Sequence, residues 1–369
     1  MHTSKIGTME AIMILLTIVV THTVLSLPKT LLSVTKSATV INIIYISILA
    51  LLLVIFIVRL FKKFPGMDLL DISEYLAGSF FKKVLGILFI SYFIVSSSIL
   101  LRSFCECLKI VYFPDTDLLF LIVLFIVAVC IANRLSFIAT LKTNLLVIPI
   151  VLVSVVFLFL ANFRNFTLER MYPILGDGFW NTFVIGIGNI SAFGGIAYLY
   201  FLPPLLKKPE QYKKIAITSV VITGIYLLLT VATILFMFSF FITEDEIMPL
   251  FFAARYIEFG TFFQRLESIF LLIWISAFCC YLSVVMKFSV HILQKITLLK
   301  DTNILIPCIG LFMLAIALFP ENYAISKFYE NTIYRYFVWG FVLLANILIL
   351  ILANLKKRKK VGETHVQMD

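Results

Sequence analysis

The chain alternates between long apolar runs and short polar segments throughout its length. Each run holds about 20 apolar residues, enough to cross a bilayer as a helix, and ends at charged, proline or glycine residues. This pattern predicts an all-α polytopic membrane protein. Its ten spans are expected at about 6–32, 40–61, 84–112, 118–132, 137–162, 179–206, 215–242, 266–293, 304–319 and 334–355.

Two of the polar segments have helical patterns of their own. Residues 68–80 (DLLDISEYLAGSF) have amphipathic spacing, which predicts a helix lying along the cytoplasmic surface. Residues 249–267 are predicted to form an external helix pair that leads into span eight.

The charged residues orient these spans. The net charge of +10 is concentrated in short loops beside the spans and in the terminal run KKRKK at 356–360. With an even number of spans, both termini are predicted to be cytoplasmic, in agreement with the positive-inside rule. The acidic clusters at 115–117 and 244–246 then fall outside. The bilayer explains this charge pattern, so no nucleic-acid partner is predicted.

Composition excludes a soluble domain. Hydrophobic residues make up 62% of the chain and the mean hydropathy is +1.08. We predict one integral membrane domain over 1–369, made of a first five-helix repeat (1–162), a second (163–355) and a basic cytoplasmic tail (356–369). The spans hold few carboxylates and the chain only four histidines, which argues against an enzyme. No cysteine pair has metal-ligand spacing, so neither a metal nor a cofactor is predicted.

Two spans contain sequences that disfavour a continuous helix. In span one, Thr21-His22-Thr23 is followed by Ser26 and Pro28, and a proline there frees backbone groups that need other partners. In span six, small and polar residues crowd ten positions, namely Gly186, Gly188, Asn189, Ser191, Gly194 and Gly195. Each glycine inside a helix costs about 1 kcal/mol, so this cluster predicts a bend or a close approach.

Spans one and six occupy matching places in the two five-helix halves. Interrupted helices at such places are typical of inverted-repeat transporters, whose small-molecule site lies at the breaks. Freed N–H groups there suit a carboxylate, and freed carbonyls suit an ammonium or a cation. The alternative is that the small residues only allow close helix packing.

The predicted ligand-binding residues lie at these breaks and on spans three and eight: Thr21, His22, Thr23, Tyr92, Ser96, Ser191, Phe193, Gly194, Gly195 and Phe278. His22 is either a proton relay or ligand contact, or a neutral histidine bonded to a carbonyl. Tyr92 and Ser96 share one helix face through their four-residue spacing. Phe278 belongs to an aromatic group with Trp274 and Tyr281 that is also compatible with simple packing.

Two charged residues are predicted to act in ion coupling or gating. Lys142, near the start of span five, is either a fixed cation at a position where transporters of this architecture bind sodium, or a lysine that snorkels to the surface. Glu106 lies four residues after Arg102 in span three. The two either pair with each other or line a polar pathway.

Four segments resemble the permease-like B subunit of spore nutrient-germinant receptors, the GerAB-like family. They are FPGMDLLDISEYLAG after span two, YPILGDGFWNTFVIGIG before span six, FLPPLLKKPE after it and FFQRLESIFLLIWISAF entering span eight. Their order and spacing, with the chain length, extend the resemblance over nearly the whole chain.

The resemblance implies a LeuT-like fold of the amino acid–polyamine–organocation superfamily, in the inner membrane of a spore. It also implies a subunit that binds a small germinant, commonly an amino acid, beside an A and a C subunit. The family's basic residue in span five would correspond to Lys142. Members often have a glycine in the span-one break, where this chain has Thr21-His22-Thr23. A sodium- or proton-coupled amino acid transporter is the alternative, because the site would be the same.

Overall fold

The computed structural model describes residues 5–25, 27–134, 137–238, 248–257, 266–299 and 303–366. The regular α-helices are α1 (Thr8–Val24), α2 (Leu27–Thr35), α3 (Thr39–Phe61), α4 (Leu69–Val111), α5 (Leu118–Arg134), α6 (Phe137–Ala161), α7 (Ile196–Leu199), α8 (Tyr212–Met237), α9 (Pro249–Arg255), α10 (Leu266–Thr297), α11 (Leu305–Ala317), α12 (Tyr323–Thr332) and α13 (Asn346–Val366). A π-helical stretch, Ile333–Ala345, joins α12 to α13.

The prediction of an all-α membrane protein is confirmed. Six helical stretches in the described ranges are long and apolar enough to cross a membrane by length and composition, and three shorter apolar helices, Thr8–Thr23, Leu118–Arg134 and Leu305–Ala317, accompany them. Span ten starts earlier than its hydropathy suggests, because α12 continues without a break into the π-helical stretch and α13.

Span one is divided into α1 and α2, as its sequence predicts. Helix α1 ends at Val24, and Leu25 has φ −98° and ψ −105°, outside the helical region. Pro28 lies in the first turn of α2, where a missing N–H removes no helical hydrogen bond. Lys36 has φ +49° and turns the chain from α2 towards α3.

Span six is also irregular, and it contains little ordinary α-helix. A π-helical turn, Trp180–Val184, leads into a 3₁₀ stretch, Ile185–Phe193. Gly194 and Gly195 then form a turn before the single α-helical turn Ile196–Leu199. The glycines lower the helix propensity of the segment, so packing against its neighbours selects the backbone instead.

The predicted surface helix is present as the first part of α4, residues 69–77. Asp68 caps it: the Asp68 Oδ1 accepts a hydrogen bond of 3.0 Å from Asp71 N. Gly78 has φ +85°, a conformation that favours glycine, and it separates the surface helix from span three. Of the predicted external helix pair, α9 is described, whereas residues 258–265 and the acidic cluster 244–246 lie outside the described residues.

Both ends of the described chain lie at one end of the bundle, called the terminal end below. Ile6 N donates to Leu205 O at 2.8 Å, and Lys207 N donates to Ile6 O at 2.9 Å, which joins the start of span one to the exit of span six. The Lys356 ammonium donates to Leu76 O at 2.9 Å, next to the surface helix. Leu69 N donates to Tyr200 O at 3.1 Å, which places the surface helix at the same end.

Candidate functional site

The span-six break is held by Asn42, a buried residue of span two. The Asn42 amide donates to Thr182 O at 2.8 Å and to Gly186 O at 3.1 Å. The Asn42 side-chain oxygen accepts a hydrogen bond of 2.8 Å from the Asn189 amide. These three bonds tie the irregular backbone of span six to span two. Sequence reasoning missed Asn42, although a single amide in the apolar run VINIIYI is a visible signal.

Two glycines of span six are required by close contacts. A Cβ at Gly186 would lie 2.5 Å from Asn42 Nδ2, closer than side chains allow. A Cβ at Gly195 would lie 3.0 Å from Leu15 O, a backbone atom of span one. The two broken helices therefore touch each other, and the small residues of span six make this approach possible.

The span-one break carries its own hydrogen-bonding side chains. The Thr21 hydroxyl donates to Thr17 O at 2.8 Å, and the Thr23 hydroxyl donates to Val20 O at 2.6 Å. Thr23 Oγ1 also lies 2.8 Å from the hydroxyl of Tyr226 in span seven. The Thr17 hydroxyl lies 2.6 Å from Asn144 Oδ1 in span five. Thr21 and Thr23 are fully buried beside the break, as a ligand site requires.

His22 is buried and faces the aromatic group of span eight. Its ring meets the Tyr281 ring edge-on, with centroids 5.6 Å apart. Tyr281 neighbours Phe278, which stacks at 4.1 Å on Phe104 of span three. The structure thus brings His22 and Phe278 into one cluster with spans three and eight. The indole N–H of Trp274, one turn before Phe278, is buried and has no hydrogen-bond acceptor among the described residues.

Two predicted residues of span three point elsewhere. Tyr92 is buried, but its ring stacks on Phe337 of span ten at 4.9 Å. The Ser96 hydroxyl bonds its own helix at Phe93 O, 3.3 Å away. Phe93 is the residue that reaches span six, since its ring stacks on Tyr198 at 4.3 Å. Neighbouring positions of a helix face different partners, and hydropathy gives no information about this rotation.

A small cavity marks the meeting of spans one, six and seven. Its volume is about 20 Å³, and Val19, Phe193, Gly195, Ser219 and Thr223 are among its lining residues. This volume holds about one water molecule and is far too small for an amino acid. Ser191, whose carbonyl accepts from Gly194 N at 3.0 Å, lies beside it in the span-six turn. The described conformation is therefore closed around the predicted site.

The two charged residues predicted to act in ion coupling or gating have different surroundings. Lys142 is exposed, as expected for a lysine that snorkels to the surface. Glu106 pairs with Arg102, with 2.6 Å between Arg102 Nε and Glu106 Oε1, and both residues are buried. In the described ranges, no group of His, Cys, Asp and Glu side chains has the arrangement of a metal site.

An ion-pair cluster closes the terminal end beneath the site. The Lys295 ammonium, near the end of α10, lies 2.6 Å from Asp68 Oδ2 and 2.7 Å from Asp71 Oδ2. Burial raises the pKa of Asp68 to about 6, against the opposing effect of Lys295. Lys295 thereby connects span eight to the surface helix, whose Leu69 N already bonds the end of span six. The sequence alone did not indicate this connection.

Similarity to known proteins agrees with this architecture. Residues 5–325 match the spore permease family, described as spore germination protein. The chain is 26% identical over 279 residues to spore germination protein YndE of Bacillus subtilis (strain 168), covering 74% of this chain and 76% of that protein. It is also 26% identical over 295 residues to spore germination protein A2 of the same strain, covering 78% and 79% of the two chains.

The fold is shared with a solved transporter. A substrate-bound, outward-open Na⁺-coupled sialic acid symporter superposes with a TM-score of 0.64 at 13% identity, over 92% of this chain and 80% of that one. At this identity the likeness concerns the fold alone. By family and by fold, the chain is a membrane permease type and not an enzyme. It belongs to the spore germination protein family and has the LeuT-like fold that the resemblance implies.

Proposed function

We propose that this chain is the permease-like subunit of a nutrient germinant receptor. It binds a small germinant where spans one, six and eight meet, and partner subunits of the A and C types respond to the change. The observation that carries the proposal is the close contact between the two interrupted helices, where Gly195 of the span-six turn lies against Leu15 O in α1. A ligand that enters there must separate spans one and six, so binding and conformational change are the same event.

The proposed binding group is Thr21, His22 and Thr23 on span one, Ser191, Phe193, Gly194 and Gly195 on span six, and Phe278 on span eight. Tyr226, Trp274 and Tyr281 are added because they contact this group or present a buried donor beside it. An amino acid suits the site, because interrupted helices offer N–H groups to a carboxylate and carbonyls to an ammonium. The aromatic residues of span eight suit an apolar side chain.

The sensor function is supported by the family, and the closed terminal end is compatible with it. Ile6 pairs with Leu205 and Lys207, and Lys295 pairs with Asp68 and Asp71, so the described contacts at this end join spans one, six and eight to one another and to the surface helix. We further propose that the protein lies in the spore inner membrane with both termini cytoplasmic. The halves 1–162 and 163–355 are proposed as the two repeats.

The alternative is a proton- or sodium-coupled amino acid transporter, which the fold of the similar symporter favours. Binding and uptake of a radiolabelled amino acid panel, measured on the same proteoliposomes, separate the two. We expect saturable binding without accumulation. Concentrative uptake driven by an ion gradient would show that the chain is a transporter and would contradict the sensor function.

The same assay tests the site. Gly195→Leu should abolish binding, because the added side chain meets the backbone of Leu15. Gly340→Leu is the matched control, since an added Cβ at Gly340 has no neighbour within 4 Å. Normal binding by correctly inserted Gly195→Leu protein would contradict the proposed site.

A further inference from the structure

A groove of about 780 Å³ lies at the terminal end, between the surface helix, the start of span three and the end of span ten. Its walls are mainly apolar, and its basic residues lie together on span ten. The lining residues are Leu76, Ala77, Phe81, Leu352, Leu355, Lys356 and Arg358. None of these lining residues belongs to the proposed germinant site.

The groove lies where the chain passes from charged to apolar sequence. Span ten is apolar up to Leu355 and continues as KKRKK, and span three becomes apolar directly after Lys82 and Lys83. Leu352 and Leu355 are exposed, so the wall of the groove is open to the surroundings. In a bilayer this level is the boundary between lipid headgroups and acyl chains.

The basic residues of the groove are not neutralised by acidic neighbours. The Lys356 ammonium is fixed by Tyr75 O at 3.0 Å and Leu76 O at 2.9 Å, at the last carbonyls of the surface helix. Arg358 is exposed and makes no ion pair with any residue in the described part of the chain. Glu74, on the surface helix, is already paired with Lys82 at 2.7 Å.

We propose that this groove binds an anionic phospholipid of the adjoining leaflet. Its phosphate lies at Arg358 and Lys356, and one acyl chain follows Phe81, Leu352 and Leu355. The guanidinium of Arg358 can donate two parallel hydrogen bonds to phosphate oxygens, and basic pockets beside membrane helices recognise such headgroups. An apolar wall next to two cations matches a phospholipid better than a soluble anion, which needs no such wall.

The first test is native mass spectrometry of the full chain in detergent with phosphatidylglycerol or phosphatidylcholine. We expect phosphatidylglycerol to remain bound preferentially. Arg358→Gln should weaken its retention about fivefold, the effect of one basic residue near an anionic headgroup. Lys214→Gln is the matched control, because Lys214 is an exposed basic residue at the start of span seven that does not line the groove. Equal retention of the two lipids, or unchanged retention in Arg358→Gln, would overturn the proposal.

A second test distinguishes binding of a whole phospholipid from binding of a soluble phosphate compound. Phe81→Trp places an indole in the groove, and its fluorescence should be quenched by phosphatidylglycerol brominated on the acyl chains beyond the quenching of the wild-type tryptophans. Glycerol phosphate should not displace the lipid. Displacement by glycerol phosphate at similar concentration would show a soluble-anion site. Loss of lipid when the A and C subunits assemble would show that a protein surface covers the groove. Displacement by glycerol phosphate and loss of lipid on assembly would each contradict the proposal.

Discussion

Spans one and six are both interrupted, yet the side chains beside the two breaks make different hydrogen bonds. Beside the break in span one, the Thr21 hydroxyl bonds Thr17 O and the Thr23 hydroxyl bonds Val20 O, both carbonyls of α1. Span six is bonded by Asn42, which belongs to span two and makes three hydrogen bonds across to it. The threonines of span one thus bond mainly their own helix, with one further contact from Thr23 to Tyr226, whereas span six is held by a second helix.

This difference indicates how the site can open. Span one can change its angle at Leu25 while its local hydrogen bonds persist. Span six can move only if span two moves with it, or if the Asn42 bonds break. A rearrangement that keeps buried polar groups satisfied is favoured, because each unsatisfied group costs about 1–3 kcal/mol. We therefore expect spans two and six to move as one body relative to span one.

The largest loss of stability is expected when the Asn42 side chain, which bonds span two to span six, is removed. Asn42→Leu removes the side-chain hydrogen bonds to the carbonyls of Thr182 and Gly186 and to the amide of Asn189. The free energy of unfolding, measured by SDS titration in mixed micelles, should fall by about 2–4 kcal/mol.

Asn346→Leu is the control for this measurement. Asn346 is equally buried, but within the described residues its amide donates to Phe341 O and Val342 O in the same span. If Asn346→Leu lowered the free energy of unfolding as much as Asn42→Leu does, the bonds between spans two and six would contribute no more to stability than bonds within one span.

A smaller loss is expected from Gly186→Ala, which keeps Asn42 but pushes it away. The added Cβ would lie 2.5 Å from Asn42 Nδ2 and 3.0 Å from Thr35 Cγ2. Overpacking of this kind costs about 1–3 kcal/mol. Gly340→Ala, where an added Cβ meets no neighbour within 4 Å, should be neutral in the same SDS titration. Similar behaviour of the two variants would contradict the close contact at Gly186.

The hydrogen bond between Thr23 and Tyr226 should make a modest contribution to stability. Thr23→Val and Tyr226→Phe each remove one side of the 2.8 Å contact between spans one and seven. A double-mutant cycle should give a coupling energy of about 0.6 kcal/mol, typical of hydrogen bonds between membrane helices. A coupling above about 2 kcal/mol would mean that span one also depends on its neighbours.

The smallest effect on stability is expected from Thr21→Val. Its hydroxyl bonds only Thr17 O one turn back, and such local bonds contribute under about 0.5 kcal/mol. Germinant binding should nevertheless weaken, because Thr21 belongs to the proposed site. Equilibrium binding and SDS titration of the same preparation check both expectations, and unchanged binding would remove Thr21 from the site.

The sequence predicted the breaks better than it predicted the contacts. Pro28 and the glycines of span six change the backbone locally, so their effect could be predicted from the chain. The spacing of span three predicts Tyr92 as a site residue, yet it is Phe93 that stacks on Tyr198 of span six, whereas Tyr92 stacks on Phe337. The choice between adjacent positions depends on the rotation of span three within the bundle.

The sequence by itself determined the ten-span pattern, the membrane environment and the places where helices one and six are interrupted. These features follow from hydropathy, backbone chemistry and loop charge, which act over one helix at a time. Tertiary structure alone decided that Asn42 supports span six, that His22 meets Tyr281 and that Lys295 joins Asp68 and Asp71. Partners distant in sequence meet only when packing fixes the rotation and depth of every helix, because each buried polar group then bonds whatever lies within about 3 Å of it.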